Sequence, residues 1–552
     1  MARDDRWFKE AVIYCLEVES FLDTDGDGIG DLRGVIARLG YLARLGVTTL
    51  WLNPIHASPW RDDGYDVTDY YSVHPRIGSL GDFVELINEA ENHGIRVMID
   101  LVVNHTSNEH PWFVSARGDP ASPYRDWYVW SEARPADVRQ GVVFPHHQAT
   151  TWTHDRKAGA WYFHRFYDFE PDLNTADPRV RDEILRIMGF WLQLGVAGFR
   201  MDAAPFVIEL VRADAEATKD FELLHEMRDY ASWRRGDAVF LAEANVPRDE
   251  LREYFGAGDR LPMLFNFLLN QRLFLALARE EAAPLRQGVT ETPTIPASCQ
   301  WATFLRNHDE IDLSGLSPDE RADVFDAFGP DPAMQLYDRG IRRRLAPMLG
   351  GDRRRIELAY SLQFTLPGTP VIRYGEEIGM GDDLSLPERN AIRTPMQWDS
   401  TENGGFSTAP RRALVRPPIA DGEYGYTRVN VADQRRDSKS LLAWLERAVR
   451  VLRECPEFGT ATPRVVDVVG RPSVFALVFD APDGAMLALH NLAARGVTVD
   501  LGPQPEQQGQ TPTEVFSAAA HRDQVNDTLD GIRLAPYGYR WIRLRSSPGK
   551  GA

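Results

Sequence analysis

Short runs rich in β-branched and aromatic residues recur along the chain, separated by longer stretches whose apolar residues return every three or four positions. The first pattern predicts strands and the second amphipathic helices, so their alternation predicts βα units closing into a parallel barrel. Seven strand runs stand out: AVIYCLEV from Ala11, TTLWLN from Thr48, RVMIDLVVNH from Arg96, GFRMDAA from Gly198, VFLAEAN from Val239, TFLRNHD from Thr303 and TPVIRYG from Thr369. The sixth barrel strand falls in the less regular MLFNFLL near Phe265.

The interval between the third and fourth runs spans roughly a hundred residues and is rich in Trp, Tyr, His and Pro. That is far more than one helical return needs, and it predicts a small inserted domain. After a helix around LLAWLERAVRVL, short apolar strands alternate with Pro and Gly turns from Pro463 onward, the pattern of an antiparallel β domain. The expected fold is therefore α/β: a (β/α)8 TIM barrel over 1–105 and 175–462, an inserted domain at 106–174 after strand 3, and a C-terminal antiparallel β-sandwich domain at 463–552.

Composition narrows the function. The 43% hydrophobic content over 552 residues suffices for a large buried core. A formal net charge of −19 opposes phosphate backbones, and the RRR triplets at 342–344 and 353–355 read as helical rather than as a nucleic-acid patch. The opening MARDDRWFKE is not an apolar leader and no run reaches the ~18 apolar residues of a membrane span, so a cytoplasmic enzyme with no nucleic-acid or membrane partner is expected. Cys15, Cys299 and Cys455 are spaced for neither a metal knuckle nor a disulfide framework and read as buried thiols.

In a barrel, side chains at the C-terminal strand ends converge on one mouth. Asp202 ends GFRMDAA, Glu243 ends VFLAEAN and Asp309 ends TFLRNHD, bringing three acids to that mouth. A single acid there usually caps the following helix, but three together, each beside Arg, Asn or His, point to chemistry. Retaining glycosidic cleavage uses a carboxylate nucleophile and a protonated acid about 5–5.5 Å apart. Arg200 shares the inward strand face with Asp202 and is expected to keep it ionised, while the apolar setting of Glu243 raises its pKa.

GFRMDAAP, the Glu of LAEAN, FLRNHDE and DLVVNHTS together resemble the sequence blocks of the α-amylase superfamily, glycoside hydrolase family 13, and the likeness covers nearly the whole chain. RDDGYDV, GIRRRLAPML, LPGTPVIRYGEEIGMGDD and IRTPMQWDSTENGGFS resemble the subgroup that isomerises maltose to trehalose. The resemblance implies that Asp202 is the nucleophile, Glu243 the acid/base and Asp309 the transition-state partner. It further implies that Asp62 and Tyr65 hold the non-reducing glucose, that His105, Arg200, His308 and Arg393 contact its hydroxyls or the acids, and that Phe166 lines the pocket. The family's QPDLN reads EPDLN here, which puts Glu170 near the sugar, and LSLPERNAIRT also departs from the subgroup's pattern. The function expected is intramolecular transglucosylation of maltose to trehalose. An α-glucosidase or transglucosidase acting on sucrose, maltose or short α-glucans is the alternative, and a non-catalytic sugar-binding or transporter-associated subunit the remote one. The expected partner is a small α-glucoside, with a homodimer left open.

No organic cofactor is expected. DTDGDGIGD spaces acidic oxygens at alternate positions, so Asp23, Asp25, Asp27, the Ile29 carbonyl and Asp31 form a candidate Ca2+ or Mg2+ loop, although Gly34 stands where a closing Glu belongs. The family resemblance implies a second calcium, held by Asn104, Asp172, Glu209 and the carbonyls of Phe206 and Val207.

Overall fold

The computed structural model describes residues 6–213, 216–482, 484–501, 510–518 and 529–546. Eight parallel strands close a barrel: β1 (Ile13–Leu16), β2 (Thr49–Leu52), β3 (Arg96–Leu101), β4 (Gly198–Met201), β5 (Val239–Ala242), β6 (Met263–Phe265), β7 (Gln300–Phe304) and β8 (Thr369–Arg373). The ring closes where Ile13 of β1 aligns with Val371 of β8. Seven of the eight predicted runs contain their strand, the weak sixth included, while TFLRNHD holds only the last two residues of β7. β7 begins three residues before the TFLRNHD run, because Gln300 and Trp301 continue its alternation.

The strands alternate inside and out. Ile13, Cys15, Trp51, Met98, Leu241, Met263, Phe265, Ala302, Phe304 and Val371 fill the barrel interior. Their neighbours Tyr14, Leu16, Leu50, Ile99 and Phe240 pack outward against the helices. Period-2 geometry then carries the inward face of β3 from Met98 to Asp100, and that of β4 from Arg200 to Asp202 just beyond its end. The floor of the barrel is therefore apolar and its mouth charged.

Local chemistry terminates the helices. The one after β1, Leu32–Leu45, starts where Asp31 accepts a hydrogen bond from the Gly34 N–H, and stops at Gly46, whose φ of +93° suits a residue without a Cβ. Leu441–Arg453, the helix read in LLAWLERAVRVL, is capped by Ser440. Of the two arginine triplets, 353–355 opens a helix as expected, whereas 342–344 lies in the irregular stretch just before the helix Leu345–Met348. Its side chains are committed elsewhere: Arg342 donates to the carbonyls of Leu384, Leu386 and Glu388, Arg343 pairs with Asp382, and Arg344 pairs with Glu376.

Between β3 and β4 the chain forms a helix, Pro111–Gly118, and a three-stranded antiparallel sheet of Trp130–Ser131, Ala160–Phe163 and Trp152–Asp155. From Pro463 a five-stranded antiparallel sheet packs one face on the ribbon of Val497–Val499 and Ile532–Leu534. Its other face, with Phe475, Phe479, Tyr539 and Trp541, joins the main core, making a two-layered β domain docked on the barrel. Cys15, Cys299 and Cys455 are buried and unbridged. No helix among the described residues is long and apolar enough to cross a membrane.

Gly198 opens β4 against β5 so closely that a Cβ there would sit 2.1 Å from the Val239 carbonyl oxygen. Gly198→Ala is expected to push β4 off β5, costing about 1–3 kcal/mol of stability. A lowered thermal unfolding midpoint together with reduced turnover checks it, since Asp202 lies at the other end of the same strand.

Candidate active site

The barrel mouth holds a cavity of about 440 Å³, within the ~300–1,000 Å³ typical of small-molecule sites. Its walls include Asp62, Tyr65, His105, Phe166, Asp202, Glu243, His308 and Asp309, so most of the residues named from sequence converge there. Phe144, Phe206 and Phe267 add aromatic surface, and Arg389 adds a cation.

Arg200 lies beneath the acids, wholly buried. One guanidinium nitrogen donates to Asp202 at 2.7 Å and the other pairs with Glu243. The first nitrogen also lies 3.5 Å from Asp100, which accepts from Trp51 Nε1 and from the Tyr65 hydroxyl, each at 2.7 Å. The Tyr65 hydroxyl in turn meets His308 Nε2 at 2.7 Å. This network fixes the ring of Tyr65 and both acids on one rigid support.

Burial dominates the protonation pattern. It pushes Glu243 up to about 8, against the pull of Arg200 and with the help of Asp202 and Asp309. Burial also raises Asp202, with Arg200 opposing and Asp309 reinforcing. The expectation that Arg200 singles out Asp202 as the ionised acid is therefore corrected: Arg200 serves Asp202 and Glu243 together. The carboxylate held well below its usual range is Asp309. Burial disfavours its charge too, but the guanidinium groups of Arg389 at 3.0 Å and Arg393 at 3.1 Å outweigh it. Asp62 faces the cavity and is pushed up to about 7 by burial, with Asp63 adding to the rise and Arg389 and Arg393 opposing. His105 is lowered to about 4 by burial, and His308 is held well below its usual value by the same cause, so both imidazoles are neutral at pH 7.

Arg393 contacts one of the acids, as expected: it lies under the wall, donating to Asp309, to the His308 carbonyl at 3.0 Å and to Asp63. Glu170 also stands behind the wall. Its Oε2 accepts from the Tyr167 N–H at 3.3 Å and its Oε1 lies 4.0 Å from Nε2 of His105, the residue that does face the cavity. Burial raises Glu170 well above the usual carboxylate value, with Asp62 and Asp66 adding to the rise. Arg389 was missed by sequence reasoning. It links Asp309 to Glu310 and lies over the ring of Phe144 at 5.0 Å, and its only sequence signal was its place in the atypical LSLPERNAIRT segment.

In the acidic loop, carboxylate oxygens of Asp23, Asp25 and Asp27 lie within 4.8 Å of one another, a spacing that fits a hard cation. Ile29 donates its N–H to Asp27, and Asp31 stands apart, its oxygens taken by Thr24 and by the Gly34 N–H it caps. The second set fits an ion less well. Glu209 pairs with the guanidinium of Arg165, Asp172 accepts the Arg165 N–H at 2.8 Å, and the Asn104 amide contacts His105 at 3.3 Å. Phe206 stacks on the same guanidinium at 4.7 Å and Val207 is buried, so Arg165 already supplies the positive charge there.

These features define an α/β-barrel enzyme with a carboxylate-lined pocket, and the chain belongs to the α-amylase family. Residues 14–322 and 341–458 match its catalytic domain. The chain is 42% identical over 98% of its length to a trehalose synthase of Thermus thermophilus, although it spans only 56% of that longer protein. It is 39% identical to a trehalose synthase of Pimelobacter sp., covering 99% of this chain and 97% of the relative. The solved structure of an alpha-amylase from H. orenii superposes with a TM-score of 0.79 at 28% identity, over 97% of this chain and all of that one.

Replacing Arg389 by Met is expected to remove the nearest cation from Asp309, cutting turnover on an α-glucoside by about 10²-fold, typical for loss of one preorganised electrostatic contact. The acid limb of the pH profile is expected to move upward, because Asp309 then ionises at higher pH. An unchanged limb contradicts the role.

Proposed function

We propose that the protein isomerises maltose to trehalose by intramolecular transglucosylation. The observation that carries this reading is the single buried guanidinium of Arg200 bridging Asp202 and Glu243 at the floor of a cavity large enough for one disaccharide. Similarity to two trehalose synthases along nearly all of this chain supports it.

Asp202 attacks the anomeric carbon of the non-reducing glucose, and Glu243, protonated at pH 7 by its burial, gives its proton to the departing glycosidic oxygen. The bond to that oxygen breaks as the bond to Asp202 forms, leaving a glucosyl ester, a free glucose and an ionised Glu243. One guanidinium contacts both carboxyl groups and so holds together the pair that retaining cleavage uses. The ionised Asp309, with Asp62 and Tyr65 in the same wall, grips the ring hydroxyls and opposes the positive charge that develops on the sugar. The released glucose turns and presents its anomeric hydroxyl. Glu243 takes that proton, the oxygen attacks the anomeric carbon, Asp202 leaves, and the product is trehalose. Water must stay out meanwhile, since it would attack the same ester.

Glu170 carried the alternative reading of an α-glucosidase. Its place behind His105 leaves the sugar-facing wall unchanged in charge and favours the isomerase reading. For the acidic loop, the reading extends to a structural Ca2+ held by Asp23, Asp25 and Asp27, which would clamp the segment entering the first barrel helix.

Incubation with maltose is expected to give mainly trehalose, and chromatography showing chiefly glucose overturns the assignment. kcat/KM should fall as pH rises through about 8, where Glu243 loses the proton it must donate. Glu243→Gln should flatten that limb and lower activity by about 10²–10⁴-fold. For the loop, millimolar Ca2+ should raise the thermal midpoint over that in chelator, and the difference should vanish in Asp25→Asn/Asp27→Asn.

A further inference from the structure

The atypical LSLPERNAIRT segment places Glu388 at a junction of three chain segments that are far apart in sequence. Its Oε2 accepts hydrogen bonds from the hydroxyls of Tyr167, in the inserted segment, at 2.8 Å, and of Tyr337, in the loop after β7, at 2.7 Å. Its Oε1 lies 3.1 Å from Nδ1 of His147. Around this carboxylate an aromatic cluster closes: the ring of Phe144 packs on Tyr337 at 4.8 Å, Tyr167 at 5.2 Å and Phe166 at 5.7 Å. Phe144 and Phe166 are themselves walls of the catalytic cavity, so Glu388 is one layer outside the space where the sugars react.

The same junction concentrates backbone strain. His146 (φ +70°), Tyr337 (+56°), Asp338 (+59°) and Glu388 (+43°) all take the left-handed conformation that non-glycine residues rarely adopt. His146 and Asp338 also meet directly, at 2.9 Å. Strain of this kind persists only where surrounding contacts hold it. Here those contacts join the inserted segment to the barrel loops across the mouth. Arg339 adds a further tie by donating to the Val143 carbonyl at 2.8 Å.

We propose that Glu388 is a partition-determining positioning residue: by tying Tyr167 and Tyr337 together it holds the aromatic wall shut over the released glucose and keeps the glucosyl ester from water. The inference rests on the isomerase reading and adds to it the residue that sets the ratio of isomerisation to hydrolysis. Glu388 touches no reacting atom. It acts through Phe144 and the two tyrosines, so its loss should redistribute products more than it slows glycosidic cleavage.

The test compares the unmodified protein with Glu388→Ala and, because that change removes the His147 contact too, with Tyr167→Phe/Tyr337→Phe, which keeps both rings and deletes only the hydroxyls. Each is incubated with maltose plus isotopically labelled glucose. Glucose released, trehalose formed and label entering trehalose are measured. The expected result is a rise of about 3-fold or more in the fraction of turnovers ending in glucose, with labelled trehalose appearing as the cavity exchanges its glucose, while total maltose consumption stays within about 3-fold. An unchanged glucose fraction and no label in either variant overturn the role of Glu388 while leaving the isomerase reading intact. If the unmodified protein makes no trehalose, the isomerase reading falls and this inference falls with it.

Discussion

Everything at the barrel mouth depends on Arg200 being buried. Its guanidinium contacts Asp100, Asp202 and Glu243, and lies over the rings of Trp51 at 5.4 Å and Tyr65 at 5.9 Å. One charge cannot neutralise three carboxylates in a medium that penalises each of them. Some must keep their protons, and burial decides which. Glu243 is pushed to about 8 and Asp100 to about 7, so the surplus of acids over cations becomes a supply of protons at the place where a leaving group needs one.

The counterpart is Asp309, which escapes this shortage by having cations of its own. Arg389 and Arg393 approach it from the loop after β8, and Arg393 is itself anchored by Asp63 and by the His308 carbonyl. Two carboxyl groups in one cavity thus hold different protonation states because different strands bring them different neighbours. That division lets Glu243 serve as an acid while Asp309 remains an anion facing the sugar.

How much of this was legible in the sequence follows from the range of the interactions concerned. The barrel strands and their terminal acids could be read because strand periodicity and strand-end position are local properties. Asp31 was read as a metal ligand and Arg342–Arg344 as helical because a cap and an aspartate ligand share the same residue type, and because arginine's partners lie elsewhere in the chain. Arg389 and Glu388 were legible only as part of the atypical LSLPERNAIRT segment, not in their roles. Their partners Asp309, Tyr337 and Tyr167 are separated from them by long stretches of sequence, up to 221 residues for Tyr167, and no spacing rule reports such contacts. Glu170 was legible as a departure but not in its direction, which the backbone of the inserted segment decides.

The chain is similar both to trehalose synthases and to an alpha-amylase, so the fold alone does not choose between isomerisation and hydrolysis. The choice lies in how long a glucosyl ester and a glucose stay together without water. In this chain part of the cavity wall is built of phenylalanines, Phe144, Phe166, Phe206 and Phe267, which offer water no hydrogen bonds, and the hydroxyls of Tyr167 and Tyr337 lie one layer farther out, where Glu388 receives them. The polar contacts that fix this aromatic face are thus kept out of the cavity, and the face itself is apolar. An enzyme that must hold a reactive intermediate while a free glucose rotates needs both properties together, and the segment that supplies Glu388 also supplies Arg389 to the catalytic Asp309.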